Sequence, residues 1–276
     1  MKLANVKITP AMAAKWLEES NFSNRTVRRA WVSQLARDMV AGKWMLNGET
    51  IKFDVHNRLT DGQHRLLACV EGGVPFDSVV VREVDAGSYL TTDIGHSKRY
   101  SDFLTPNGEQ NAALLSASAR WLSVLDMQGS VWKFRTWSPT VTEMDEVIAK
   151  YPEIRDSVHF AASAKIKGIM PSIVAILHFV AVRAGDRERV EKFISRCKTG
   201  EGLWKDDPEF CLRKWLEFKD SRTATQPTKE YIVAMFLKAW QLSKIDKKCA
   251  AGLRIRPDET WPELTLTKPR KTASVA

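Results

Sequence analysis

Asp61-Gly62-Gln63-His64-Arg65-Leu66-Leu67-Ala68 follows a β-like run, Glu49 to Val55, and a short turn, His56 to Leu59. It opens an apparent helix that stops at Gly72-Gly73. A glycine between strand and helix lets the backbone come close to a ligand. The first-turn N–H groups of the helix then face that ligand, with the positive dipole end behind them, and this suits a phosphate. Arg65 adds a planar fork of donors and His64 a second polar arm. The stretch predicts a strand-turn-helix anion site for a nucleotide. The plain alternative is a tight turn with a polar helix start.

Toward the N-terminus, Val6 to Thr9 predicts a short strand, and Pro10 opens a helix through Glu19. Asn24 stands where it would cap the next helix. Trp31, Val32, Leu35, Ala36, Met39 and Val40 share one face of that helix, and Gly42 ends it. Val79 to Val84 is a compact β run. Alternating strands and helices predict a small α/β or α+β unit. After about Asn107 strand signals nearly vanish. Leu114, Ser118, Trp121 and Leu125 mark a helix face, and Thr140-Val141-Thr142-Glu143 resembles a capping box whose helix closes at Tyr151-Pro152. Pro171 to Ala184 is apolar nearly all round, as in the central helix of a bundle. Asp186, Asp207-Pro208 and Thr228 open three further helices. The expected division is residues 1–106, a helical bundle over 107–266, and a polar, disordered tail over 267–276.

A second cluster repeats the logic of the first: Thr92-Asp93-Ile94-Gly95-His96-Ser97-Lys98-Arg99, then Asp102. Two such turns would converge on one ligand. Arg65, Lys98 and Arg99 would offset phosphate charge, and Asp61 or Asp93 would hold magnesium through oxygen. The alternative is that Asp93 and Asp102 only cap a turn over Ser101 to Leu104.

The chain of 276 residues is 44% apolar with ten tryptophans, the composition of a folded protein. A net charge of +9 favours an anionic partner such as nucleic acid. No apolar run is long enough for a bilayer, and the first ten residues lack a signal core, so a cytoplasmic location is expected. Cys69, Cys197, Cys211 and Cys249 have no CxxC spacing and read as buried thiols. Walker, GxSxG, HExxH and deaminase patterns are absent. His159 and His178, and Trp204, Trp215 and Trp240, fall at helical apolar positions and read as core. Basic residues gather at Arg25, Arg28 and Arg29, and again from Arg183 to Lys198 among carboxylates. The third group, Lys244, Lys247, Lys248, Arg254 and Arg256, has fewer acidic neighbours in sequence and is the better candidate for DNA backbone contact.

The motif Asp61-Gly62-Gln63-His64-Arg65 is the DGQHR signature, and with its flanking strand and helix it resembles the ParB/sulfiredoxin superfamily over roughly Asn5 to Leu104. The chain is similar to DGQHR-domain and ParB-N-like proteins of phages and DNA-modification or defence gene clusters. The resemblance implies an α+β protein: a small mixed-sheet N-terminal domain binding a nucleotide at the motif turn, followed by an all-helical C-terminal domain. ParB proteins carry Gly-Glu-Arg-Arg at this turn and bind CTP. Sulfiredoxin carries Gly-Cys-His-Arg and binds ATP, and Gly62, His64 and Arg65 align with it. Gln63 stands where sulfiredoxin has its reactive cysteine and ParB a glutamate. An amide orients water or a ligand but is no general base near neutral pH, so Asp61 or Asp93 would have to serve.

The expectation is a nucleotide-binding, DNA-associated protein holding ATP or CTP with magnesium, a slow NTPase at most, with homo-oligomers left open. Gly62, Gln63 and His64 would cradle phosphate, and Arg65 and Arg99 would neutralise it. The alternatives are a phosphotransferase acting on a modified base, nucleoside or small metabolite, and a DNA-binding regulator without nucleotide chemistry.

Overall fold

The computed structural model describes residues 1–22, 24, 26–85, 99–221 and 227–266, the side chains of 218–221 excepted. These residues form eleven α-helices and one four-stranded mixed sheet, with helices alone in the C-terminal part. The chain divides into two units, Met1–Lys98 with Ser138–Thr142, and Arg99–Trp137 with Glu143–Ala276.

In the first unit, β1 (Lys2–Ile8) leads into α1 (Pro10–Ser20), where the Thr9 hydroxyl accepts from Met12 N and Pro10 presets the first helical turn. After α2 (Arg29–Val40) come β2 (Thr50–Asp54), β3 (Leu59–Asp61), α3 (Gln63–Gly72) and β4 (Phe76–Val84). Sheet order is β1-β4-β2-β3. β4 runs antiparallel to β1 and parallel to β2, while β2 and β3 are antiparallel. Parallel neighbours need a crossover, and β3 with α3 supplies it between β2 and β4. Ile51 and Phe53 are fully buried, and Lys52 between them takes the opposite face. The β2–β3 turn is organised by buried Asp54, which accepts from His56 N, Arg58 N and Arg58 Nε. Burial raises its pKa, but these donors outweigh burial and hold the carboxyl below its ordinary value.

Several expectations shift here. β1 and β4 are longer than their β-like runs. β3, three residues long, falls where only a turn and the motif's first residue were read. Asn24 does not cap α2. Its amide donates to Asn21 Oδ1 and Leu59 O, and α2 begins at Arg29. Val32, Leu35, Ala36 and Met39 are buried, whereas Trp31 and Val40 are 48% and 59% exposed, so the apolar stripe is narrower than the sequence pattern. Ser138–Thr142 is tied to α2. Arg37 Nη2 donates to Ser138 O at 2.7 Å, and Asp38 Oδ1 accepts from both Thr140 and Thr142 hydroxyls.

The second unit is helical: α4 (Tyr100–Leu104), α5 (Ala112–Gln128), α6 (Val141–Lys150, whose first two residues belong to the first unit), α7 (Ile154–Ser163), α8 (Pro171–Arg183), α9 (Arg187–Thr199), α10 (Pro208–Ser221) and α11 (Lys229–Lys244). Every residue from Ser172 to Ala181 is buried, and α5, α7 and α9 pack around α8. This is the central helix read from Pro171 to Ala184. The four cysteines are buried free thiols. Two core assignments fail: Trp204 sits in a turn before α10, 77% exposed, and His159 is on the exposed face of α7. Among the described residues no helix is long and apolar enough to cross a membrane.

Candidate functional site

The motif forms a strand-turn-helix. Gly62 stands at the start of α3 with φ 105° and ψ −1°, which a residue with a Cβ adopts only under strain. Its carbonyl accepts from Leu66 N, and as a glycine it brings no side chain to cap the first turn of α3. Gln63 is only 8% exposed, and its buried Oε1 has no donor. His64, also buried, accepts from Arg28 N at 3.0 Å through Nε2, which assigns the ring proton to Nδ1. Nε2 is therefore spent on the backbone entering α2.

Arg65 is 11% exposed at its side chain. Its Nη2 donates to Asp61 Oδ2 at 3.1 Å, an i,i+4 pair that brackets Gly62. Its Nη1 is buried without a hydrogen-bond acceptor, with Glu49 Oε2 3.8 Å away. Lys52 Nζ lies 3.7 Å from the same Asp61 oxygen, because Lys52 and Asp61 are paired across β2 and β3. Asp61, the candidate base and magnesium ligand, thus has its charge compensated by two cations. A divalent ion would have to displace one of them. Among the described residues no three His, Cys, Asp or Glu side chains gather to hold a metal. Asp93 and Lys98 lie outside the described residues. Arg99 opens α4 in the second unit, where its N–H donates to Asp102 Oδ2 at 2.7 Å.

The sequence reading missed Lys52, Glu49 and Arg28. Lys52 had a signal, since alternation in Thr50–Asp54 sends it to the face opposite Ile51 and Phe53. Arg28 and Glu49 act through position in space and had none.

In the second unit, Lys244 pairs with Asp186 at 2.7 Å and Lys248 with Asp207 at 2.5 Å. No salt bridge joins Lys247, Arg254 or Arg256 to a carboxylate among the described residues, and all three are exposed. In the mixed-charge group Arg187–Glu191 is a local pair of the kind its sequence suggests, whereas Arg183 and Arg196 pair with Glu153 and Asp207 outside the group.

A triad-like chain also occurs there. Ser157 Oγ is 2.9 Å from His178 Nδ1, and His178 Nε2 is 3.3 Å from Glu191 Oε1. Ser157 and His178 are buried, and the ring of Phe160 stacks on the imidazole at 4.3 Å, so no substrate reaches the hydroxyl. The chain is an interhelical tie between α7, α8 and α9. Burial lowers the pKa of His178 from 6.5, partly opposed by Glu191. The unfolded imidazole therefore takes a proton that the folded one refuses. Its contribution is complete above about pH 6.5 and is lost as pH falls below that value. The expected result is a urea midpoint that drops on acidification below pH ~6.5, with a shallower drop for His178→Gln. Parallel pH profiles for the two proteins would remove His178 as the cause.

Comparison with protein-family models, curated proteins and solved structures finds no match to this chain.

Proposed function

We propose that the first unit is a ParB-like nucleotide-binding module that grips the phosphate of ATP or CTP at the amino end of α3, within a DNA-associated protein. The observation that carries the reading is Arg65 Nη1, buried with no hydrogen-bond acceptor beside the start of α3, whose N-cap is a glycine and brings no capping side chain. A phosphate oxygen accepts from that nitrogen, with the helix dipole adding to the guanidinium charge. The pairing of Arg65 with Asp61 then has a purpose: one nitrogen is anchored so that the other is held in place. Asp61 is a positioning residue in this arrangement, and Lys52 moderates its charge. The unpartnered Gln63 Oε1 accepts a donor from the ligand. Lys247, Arg254 and Arg256 are the arms left for DNA phosphates. The phosphotransferase alternative would have to rely on Asp93, which lies outside the described residues, because Asp61 is engaged by Arg65 and Lys52.

Isothermal titration with each nucleoside triphosphate, with and without magnesium, tests the reading. ATP or CTP binds, and Arg65→Ala weakens it by at least about tenfold, the loss of a charge-assisted contact. Arg65→Lys, which keeps the charge but not the two-directional fork, falls between. Circular dichroism establishes that both variants stay folded. Absence of binding by any triphosphate, or unchanged affinity in folded Arg65→Ala, rejects the site.

A further inference from the structure

The 3₁₀ turn Val131–Arg135 and the start of α11 border a cleft of about 330 Å³ in the second unit. Trp132 and Trp261 meet there at 84° with ring centroids 4.8 Å apart, and Tyr231 meets Trp261 at 78° and 6.3 Å. Both tryptophans are only half-buried. Exposing aromatic area forfeits hydrophobic stabilisation, so the corner asks for an occupant.

The polar rim is built. Ser130 Oγ accepts from Trp132 N at 3.3 Å and donates to Glu263 Oε1 at 2.7 Å, which joins one aromatic wall to one carboxylate. Thr228 caps α11 by accepting from Tyr231 N, which sets Glu230 in the first turn of that helix. Glu230 is held ionised, first by its own backbone N–H, with Thr228 and Arg135 assisting against burial. Arg135 Nε is 3.8 Å from Glu230 and largely exposed, a weak pair. Glu263 has no ion pair among the described residues. Two carboxylates against one guanidinium leave the cleft with one net negative charge.

That balance repels phosphates and carboxylates. Two ring faces at a right angle wrap a compact round group better than a flat ring, which needs parallel faces. We propose that this cleft binds a methylated ammonium cation, held by the faces of Trp132 and Trp261 and balanced by Glu263 and Glu230. Such a cation is weakly hydrated and makes no demand for hydrogen-bond acceptors, and cation–π attraction is the interaction that selects it. The cation is carried either by a small metabolite or by a methylated lysine side chain.

Calorimetric titration of the full chain with choline, with trimethyllysine, and with 3,3-dimethylbutan-1-ol as the uncharged isostere separates the outcomes. At least one cation binds saturably, and the alcohol binds about tenfold more weakly or not at all. Trp261→Ala loses about tenfold, and Glu263→Gln, a change at an exposed side chain, weakens binding and flattens its salt dependence. Tighter binding of trimethyllysine than of choline identifies a protein side chain as the ligand, and the reverse identifies a small metabolite. No saturable binding of either cation, equal binding of the alcohol, or full affinity in Trp261→Ala overturns the proposal.

Discussion

Gly62→Ala is expected to lower the stability of the first unit by about 3 kcal/mol, from backbone strain and overpacking together. At φ 105° any L side chain is strained. The added Cβ would also lie 2.4 Å from Ile51 Cδ1 and 3.3 Å from Ile51 Cα. Ile51 is fully buried in β2, so its side chain has nowhere to swing, and its Cα moves only with the strand. Gly48 separates the two causes. It has φ 81° with nothing within 4 Å of its would-be Cβ, so Gly48→Ala carries strain alone, about 1 kcal/mol. Urea unfolding of both variants checks this. Equal losses would mean that β2 relaxes around the new methyl group and that close packing of the motif turn on Ile51 is not the reason for glycine.

Asp207→Ala is expected to cost the second unit about 3 kcal/mol, the loss that follows removal of one partner from a buried ionic network. Asp207 is buried at the start of α10. Its Oδ2 accepts from Arg196 Nη2 at 2.6 Å and Trp204 N at 3.0 Å, and its Oδ1 accepts from Lys248 Nζ at 2.5 Å. Without it Arg196 keeps the Gly202 carbonyl at 2.9 Å, and Glu209 at 3.5 Å is the carboxylate left to balance its charge. The acid limb gives a second readout. Burial raises the pKa of Asp207, but Lys248, the Trp204 N–H and Arg196 outweigh it and hold the carboxyl below 3.8. The stabilisation is therefore present in full above the unfolded value and disappears as pH falls through the folded one. The stability gap between wild type and variant should close below pH ~4. A gap that persists there would assign the loss to packing, not to charge.

The same network explains a limit of the sequence reading. Lys244 and Lys248 sit in a stretch poor in acidic neighbours, yet each pairs with a distant carboxylate, Asp186 and Asp207. Local composition describes only local charge. Trp204 misleads in the same way. Helical spacing of apolar residues suggested a core position, but α10 starts only at Pro208, and a residue in the turn before it does not share the face of the helix. At the candidate site, the motif residues and the helix they open were legible, while the ion pairs among Arg65, Asp61 and Lys52 were not. Arg65 with Asp61 follows helical spacing and was open to prediction. Lys52 with Asp61 depends on strand register. His64 reads as a ligand-facing arm by spacing and is instead joined to Arg28 N, since that backbone passes over the start of α3.

What the amino-acid sequence determined alone is the set of features whose cause lies within a few residues. These are the glycine turn into α3, the stops at Gly72-Gly73, the proline openings at Pro10, Pro171 and Pro208, and the apolar run that becomes the buried centre of the bundle. Allowed φ angles, missing N–H groups and side-chain periodicity are local properties, so they are written locally. Tertiary structure alone decided the partner of each polar group: which lysine is neutralised, which nitrogen of Arg65 lacks an acceptor, and which tryptophans meet at a right angle. Those outcomes depend on where strands and helices far apart in the chain come to lie together, and a charge or a ring face carries no mark of its partner until they do.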